Sequence, residues 1–142
     1  MKVLHHSVYI KATPQKIWET LIAVEKWAEW DKDIKSAKLS GDFVVGATGT
    51  LIDHRNKCSV FYITEVDETK SFSNYYQYQF FTDLKFKHEI EQLKDKCKVT
   101  FTAYFAGPFS WFFNLKLKSI HQVMENAMKN LSYVCETEPQ YL

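Results

Sequence analysis

The chain is poor in arginine, since Arg55 is the only arginine among the 18 basic residues in a sequence of 142. Sites that recognise phosphate or carboxylate through a bidentate guanidinium are therefore nearly excluded. The formal net charge is +1, and the lysines are interspersed with acidic residues rather than gathered in a basic block. We therefore expect no nucleic-acid partner and no electrostatic attraction to an anionic membrane.

Cysteine, glycine and proline are scarce, with three, four and three residues respectively. Cys58, Cys97 and Cys135 are odd in number and widely spaced, which does not suggest a disulfide framework and fits a reducing compartment. No linker rich in proline, glycine or serine divides the chain. We therefore expect one domain spanning residues 1–142.

Long apolar runs are also missing. The first ten residues contain two histidines and no apolar run of signal-peptide length. No stretch approaches the roughly 18 apolar residues of a membrane span. We therefore expect a soluble, cytoplasmic protein without a membrane span.

Local motifs of catalysis, phosphate binding and metal binding are missing too. There is no glycine-rich phosphate loop, no Gly-x-Ser-x-Gly elbow and no nucleophile beside an obvious base. His54 with Cys58, and His5 with His6, are not followed by a second ligand pair at metal spacing. The sequence thus predicts no catalytic residue, no metal and no cofactor.

Aromatic residues, by contrast, are plentiful at 16%, and they concentrate in the middle of the chain and before its last segment. Either an aromatic core or an aromatic-lined cavity would explain this. Trp111 and Phe112 fall off the apolar stripe of the last helix. We interpret them as covering the short helices, lining a cavity mouth, or touching a partner or a bilayer transiently.

The last segment, residues 110–135, has the pattern of one long amphipathic helix. Its apolar residues recur at three- and four-residue steps and are Phe113, Leu117, Ile120, Met124, Ala127, Met128, Leu131 and Val134. About 25 residues at a rise of 1.5 Å give roughly 38 Å, enough to cross a small domain. The apolar stripe must therefore lie on another layer, which the rest of the chain has to supply.

The preceding residues predict that layer to be a sheet. Alternation over residues 4–12 predicts a first strand, Thr13 and Pro14 open a short helix, and a second short helix covers Val24–Trp30. Six further strands are predicted at Ile34–Leu39, Thr48–Asp53, Cys58–Asp67, Phe72–Phe80, Leu84–Glu91 and Cys97–Phe105. Short polar turns favour an antiparallel meander, and six or seven strands curl. We predict an α+β fold with this curved sheet wrapped around the C-terminal helix, in the order β-α-α-β-β-β-β-β-β-α.

Five short segments carry a family resemblance. They are Ile10-Lys-Ala-Thr-Pro-Gln-Lys-Ile-Trp-Glu-Thr-Leu21, Trp27-x-x-Trp30-Asp31-x-Asp33-Ile34, Gly46-x-x-Gly49-Thr50, Ile63-Thr-Glu-Val-Asp67 and Phe105-x-Gly107-Pro108. In these segments the chain resembles the polyketide cyclase/dehydrase branch of the START-like (SRPBCC, helix-grip) superfamily. The resemblance implies a hydrophobic cavity between helix and sheet. It also implies a ligand such as a lipid, quinone, polyketide or plant hormone, and only some members catalyse reactions.

His88 is the most informative single residue, because alternation puts it on the apolar face of its strand between Phe86 and Ile90. A polar group there needs a partner. It is either a core histidine satisfied by its neighbours, a ligand contact or a catalytic base. Asp31 and Asp33, two residues apart near a helix end, are interpreted as capping or solvating the loop rather than as an acid pair.

Nine residues form the predicted ligand-binding set: Trp27, Trp30, Tyr62, Tyr76, Tyr78, His88, Phe101, Met124 and Met128. The two tryptophans are three apart and project from one side of their turn. The three tyrosines could point inward, although Phe61 and Ile63 compete with Val60 and Tyr62 for the inner face. The two methionines lie one turn apart on the inward helix face, as pocket lining or as plain core.

Our main interpretation is a monomeric or homodimeric protein that binds a small hydrophobic or amphipathic molecule without transforming it. One alternative is a cyclase or dehydratase acting in the same cavity, with His88 and a tyrosine as acid and base. Another is a quinone-binding chaperone that hands lipid to a membrane enzyme. Two inward titratable groups near one point of the cavity would favour an enzyme, whereas an apolar cavity with one polar anchor would favour a binder.

Overall fold

The structure, a computed structural model, describes residues 2–78, 82–108 and 117–137. In chain order its elements are β1 (Lys2–Ile10), α1 (Pro14–Ile22), a 3₁₀ helix (Val24–Glu29), β2 (Ile34–Ser40), β3 (Thr48–Asp53), β4 (Cys58–Asp67), β5 (Ser71–Tyr78), β6 (Thr82–Gln92), β7 (Cys97–Ala106) and α2 (Leu117–Thr137). The predicted order of elements is confirmed. The second short helix is of the 3₁₀ type, and the predicted start of the last helix, at residues 110–116, lies outside the described residues.

Seven strands form one open, curved sheet in which all neighbours are antiparallel. The order across the sheet is β1-β7-β6-β5-β4-β3-β2, so the first strand lies beside the last and β2 forms the other edge. α1 and the 3₁₀ helix make the connection between the two edges. The α+β class and the helix-grip architecture are confirmed.

The first helix begins where local chemistry requires it. Thr13 has an extended backbone, and its hydroxyl oxygen accepts a hydrogen bond from the Lys16 N–H at 3.1 Å. Pro14 takes the first helical position, where its missing N–H costs nothing. The buried side of α1, Ile17, Trp18 and Leu21, then joins the core.

The apolar stripe of α2 is buried unevenly along its length. Met128 and Leu131 in the second half are fully buried, and Cys135 is 4% exposed. In the first half, Ile120 and Val123 are only half-buried. Met124 and Ala127 in the first half are nearly buried as well, at 6% and 5% exposed, so the halves differ in what they face: residues 119–127 line an open pocket, and Met128 and Leu131 do not. No helix within the described ranges is long and apolar enough to cross a membrane.

Gly49 on β3 makes room for the largest ring on β4. It lies directly opposite Phe61, which is fully buried and stacks on Trp27 with ring centroids 5.3 Å apart. A Cβ atom on Gly49 would lie inside van der Waals distance of three atoms of the Phe61 ring. The absence of a side chain at Gly49 thus fixes Phe61 on the inner face of the sheet.

We therefore expect Gly49→Ala to lower the free energy of unfolding by about 3 kcal/mol, the upper part of the range for overpacking. In a Phe61→Leu background the same change should cost less than about 1 kcal/mol, because the ring is gone and alanine is no worse than glycine in a strand. Urea unfolding of the four proteins measures both values. Equal costs in the two backgrounds would contradict the proposed contact.

Candidate functional site

A pocket of about 380 Å³ lies between the first half of α2 and the concave face of the sheet. Its apolar wall comes from the 3₁₀ helix, the strands and α2, and the principal members are Trp27, Trp30, Ile34, Leu51, Leu84, Phe86, Phe101, Phe105, Ile120, Val123, Met124 and Ala127. Its polar members are Asp31, Asp33, Asp53, Arg55, Ser59, Asn74, Tyr76, His88 and Ser119. This volume falls in the range of small-molecule sites, and the composition is mainly apolar with a few polar groups.

A row of three rings crosses the sheet at the pocket floor. Phe72, His88 and Phe101 lie directly opposite one another on β5, β6 and β7. The imidazole stacks on Phe72 with centroids 4.1 Å apart and meets Phe101 edge-on at 4.6 Å. Strict alternation along each strand puts all three side chains on the concave face.

His88 is held as a neutral residue. It is 8% exposed, and burial lowers the pKa of its imidazole to about 4. Its Nδ1 lies 3.4 Å from the carbonyl oxygen of Phe72, a long contact that only partly offsets this effect. At neutral pH the imidazole is therefore uncharged and weakly basic, which suits a hydrogen-bonding group better than a general base.

The two tryptophans of the predicted set differ in their polar atoms. Trp27 Nε1 donates a hydrogen bond to the carbonyl oxygen of Leu21 at 2.8 Å. Trp30 Nε1 is buried and has no partner among the described residues. Both rings line the pocket, but Trp30 is the one with an indole N–H left to donate.

Asn74 and Tyr76 add polar groups to the part of the pocket wall that β5 forms. Asn74 is 2% exposed, and its Nδ2 donates to the Tyr76 hydroxyl oxygen at 3.2 Å. Its Oδ1 is buried without a partner among the described residues. Burial, and secondarily the Asp31 carboxylate, raise the pKa of the Tyr76 hydroxyl, so this group stays protonated. The wall therefore offers an unpaired acceptor close to a protonated phenol.

Asp31 follows the 3₁₀ helix and belongs to the same pocket. Its Oδ1 accepts a hydrogen bond from the Asp33 N–H at 3.1 Å, which fits the predicted capping role. Burial nevertheless raises the pKa of the Asp31 carboxyl to about 6, with a smaller contribution from the Asp33 carboxylate. Asp31 therefore caps the loop, and it also places in the pocket wall a carboxyl group whose pKa is raised to about 6.

The rim of the pocket carries the remaining charges. Arg55 is exposed, and its backbone N–H donates to the Asp53 carboxylate at 2.8 Å. A second backbone donor to the same oxygen, from Lys57, lies at 3.0 Å and is the main cause that lowers the pKa of Asp53. The only arginine of the chain thus lies at the entrance rather than in the floor.

Six of the nine predicted residues line this pocket: Trp27, Trp30, Tyr76, His88, Phe101 and Met124. Tyr62 is a wrong placement, because it is 44% exposed on the outer face while Phe61 and Ile63 face inward. Met128 is also wrong as a wall residue, because it is fully buried where α2 is sealed against the core. The side chains of Tyr78, Trp111 and Phe112 lie outside the described residues.

Seven polar lining residues were missing from the predicted set, and the two with buried or titratable groups that matter here are Asn74 and Asp31. Asn74 had a usable signal, since it alternates with Phe72 and Tyr76 on a strand whose inner face is otherwise aromatic. Asp31 had no comparable signal, because the pocket residues that share its surroundings, such as Asn74 and Tyr76, lie far along the chain. A second surface depression has a volume of about 430 Å³ and lies near Pro14, Lys70 and Glu89. No aromatic residue from the described part of the chain lines it, in contrast to the pocket under α2.

The chain matches a known family over nearly its whole length. The family described as polyketide cyclase / dehydrase and lipid transport matches residues 1–136. The search of curated protein sequences finds no significant match.

Several solved structures share the fold. The Aha1 dimer from Colwellia psychrerythraea is 19% identical, covers 96% of this chain and 98% of its own, and has a TM-score of 0.73. A Mesorhizobium loti protein is 12% identical over 94% of this chain and 96% of its own, with a TM-score of 0.78. DynU16, from the dynemicin biosynthetic locus, is 13% identical over 95% of this chain and 47% of its own, with a TM-score of 0.75. At these identities the likeness establishes the fold alone.

The raised pKa of Asp31 predicts a pH-dependent effect of Asp31→Asn. Ionising Asp31 costs stability above its unfolded pKa of 3.8, and that cost is complete above its folded pKa of about 6. We therefore expect the variant to be more stable than wild type by about 1–3 kcal/mol at pH 7.5, with the difference vanishing as the pH falls to about 4.

Urea unfolding between pH 4 and pH 8 measures this difference. The matched control is Asp42→Asn, which removes an exposed carboxylate distant from the pocket wall. A constant difference across this pH range, or a loss of stability at pH 7.5, would contradict the assignment.

Proposed function

The chain belongs to the polyketide cyclase/dehydrase and lipid transport family, and from that premise we propose that it binds a small amphipathic molecule in the pocket under α2. The observation that carries the proposal is a pair of buried, unpaired polar atoms in a largely apolar wall. Trp30 Nε1 is a donor, and Asn74 Oδ1 is an acceptor. Both atoms are buried away from the accessible surface, so side-chain rotation has to uncover them before a guest can bond them. An unpaired buried polar group costs about 1–3 kcal/mol, which favours a guest that then hydrogen bonds both atoms.

The wall also restricts the chemistry of this guest. Its body is apolar and partly aromatic, because it packs against Phe101, Phe105 and Met124. It carries a carbonyl or hydroxyl oxygen for the Trp30 N–H and a hydroxyl proton for Asn74 Oδ1. Oxygenated polyketides and quinols meet both requirements, whereas a plain hydrocarbon meets neither. A quinone offers only carbonyl acceptors and so meets the first requirement alone, whereas a chaperone that delivers the reduced quinol would handle a guest that meets both.

We also propose a location and an assembly state. A cytoplasmic location is supported by Cys58, Cys97 and Cys135, which form no disulfide with one another. A homodimer is compatible with the dimeric Colwellia structure, and a monomer remains the alternative.

Native mass spectrometry of protein purified from its own host tests the binding proposal, followed by extraction and identification of the bound compound. We expect one guest per chain in wild type. Ala127→Phe should reduce occupancy at least about tenfold, because the added ring would occupy a pocket of only about 380 Å³. The matched control, Lys129→Phe, adds the same ring to the exposed side of α2 and should keep the guest.

The variants also separate a filled pocket from a damaged fold. Ala127 lines the pocket although it is only 5% exposed, so the added ring should turn toward the pocket, and Ala127→Phe should stay folded with a melting temperature below that of wild type. A wild-type protein that carries no guest and binds neither a quinone nor a flat polyphenol would refute the proposal. Equal occupancy in Ala127→Phe and wild type would show that the guest does not bind in the pocket under α2.

A second function, an acid–base lyase, is favoured by one specific observation. Asp31, with a pKa of about 6, and Tyr76, which stays protonated, belong to one pocket wall. In a dehydration, the Asp31 carboxylate would take a proton from a carbon beside a carbonyl. A double bond would form as the neighbouring C–O bond breaks, and the hydroxyl would leave as water with a proton donated at Tyr76. Asp31 replaces His88 as the base in this version, because a pKa near 4 makes the imidazole a weak one.

Incubation of the protein with the extracted compound tests this second function by mass. An enzyme should change the compound by one water, and Asp31→Asn should abolish the change while retaining the guest. Turnover that survives in Asp31→Asn would remove Asp31 from the chemistry. An unchanged compound with wild type would leave binding as the function.

A further inference from the structure

Outside the pocket, three potential metal ligands meet at the seam between the edge strand β1 and α2. They are His6 on β1 and His121 with Glu125 on α2. One ligand atom from each residue lies within 4.8 Å of the other two. We propose that this cluster is a site for a divalent transition-metal ion of the Zn²⁺ class, and the proposal does not depend on the function of the pocket.

The fold brings these residues together by two regular spacings. His6 alternates with Leu4 and Val8 on β1, and it lies directly opposite Phe101 of the pocket floor. It is thus the polar member of an otherwise apolar row that faces α2. His121 and Glu125 are one helical turn apart, so their side chains project from the same side of α2.

The distances are close to those of a three-ligand metal site. His121 Nδ1 lies 3.2 Å from Glu125 Oε1, and His6 Nδ1 lies 3.9 Å from the same oxygen. The two imidazole rings meet edge-on at 5.4 Å. In a tetrahedral site with bonds of about 2.0–2.1 Å, ligand atoms are roughly 3.3 Å apart. Small side-chain rotations therefore bring all three atoms to a common ion.

The charges and the exposure also suit a metal. Glu125 faces two imidazoles, and a carboxylate with two neutral imidazoles is a donor set that zinc, cobalt, nickel and copper bind well. The side chains are 29% exposed at His6, 35% at His121 and 38% at Glu125. Solvent can therefore reach the ion and supply a fourth ligand. Mg²⁺ and Ca²⁺ prefer sets made of oxygen atoms, so they should bind poorly.

The proposed site departs from the expectation of no metal that the sequence suggested. The sequence offers His6 only His5 as a neighbouring ligand, and His5 points to the opposite face of the strand. The real partners lie near the other end of the chain. A bound ion would link β1 to the first half of α2, next to the pocket residues Ile120 and Met124.

Two measurements on the untagged full chain test the proposal: Co²⁺ titration followed by visible absorption, and melting in EDTA or in ZnCl₂. We expect one Co²⁺ per chain with the absorption of a four- or five-coordinate ion. Zn²⁺ at about 100 times its dissociation constant should raise the melting temperature by roughly 5 °C or more, and MgCl₂ should not.

The ligand variants are His6→Gln, His121→Gln and Glu125→Gln, and each should weaken Co²⁺ binding at least about tenfold. The matched control is His5→Gln, which changes an exposed histidine on the neighbouring position of β1 and should bind as wild type does. In EDTA all four variants should melt within a few degrees of wild type, because these side chains are partly exposed. A stoichiometry well below one, or equal losses in His5→Gln and His6→Gln, would overturn the proposal.

Discussion

The structure depends on how one amphipathic helix meets one curved sheet. The stripe on α2 can touch a curved surface closely over only part of its length. The contact is closed at Met128 and Leu131, which are fully buried. Before that point Ile120 and Val123 are half-buried, and the pocket occupies the remaining space. The same packing that stabilises the fold therefore also creates the candidate site.

The fold was predictable because its determinants are local. Alternation identified β1, β5, β6 and β7, turn residues and composition identified β2, β3 and β4, and the cap at Thr13 and Pro14 identified the start of α1. The prediction of Tyr62 as an inner residue was wrong for an equally local reason: a strand with apolar residues on both faces carries no clear alternation. Gly49 on the neighbouring strand decides the face, because it leaves space for Phe61. That choice depends on a pairing that the sequence of β4 does not contain.

The ring-bearing residues of the candidate site were predictable from the sequence, whereas the behaviour of its charged and titratable residues was not. His88 and Phe101 follow from period two on their own strands, and the structure adds that His88 is neutral and stacked. Asp31 acquires its raised pKa from burial in a pocket whose other lining residues include Asn74 and Tyr76, far along the chain. His6 meets His121 and Glu125 only when the two ends of the chain pack together. The raised pKa of Asp31 and the proposed metal site therefore depend on long-range contacts that no local pattern reveals.

The central claim is that the first half of α2 is a ligand wall while its second half is core. Hydrogen exchange with and without the guest extracted from the native protein tests this most directly. We predict slower exchange on ligand binding at residues 119–127 and no change at 128–135, where the helix is already sealed. Equal protection of both halves, or protection confined to strands away from the pocket, would contradict the account.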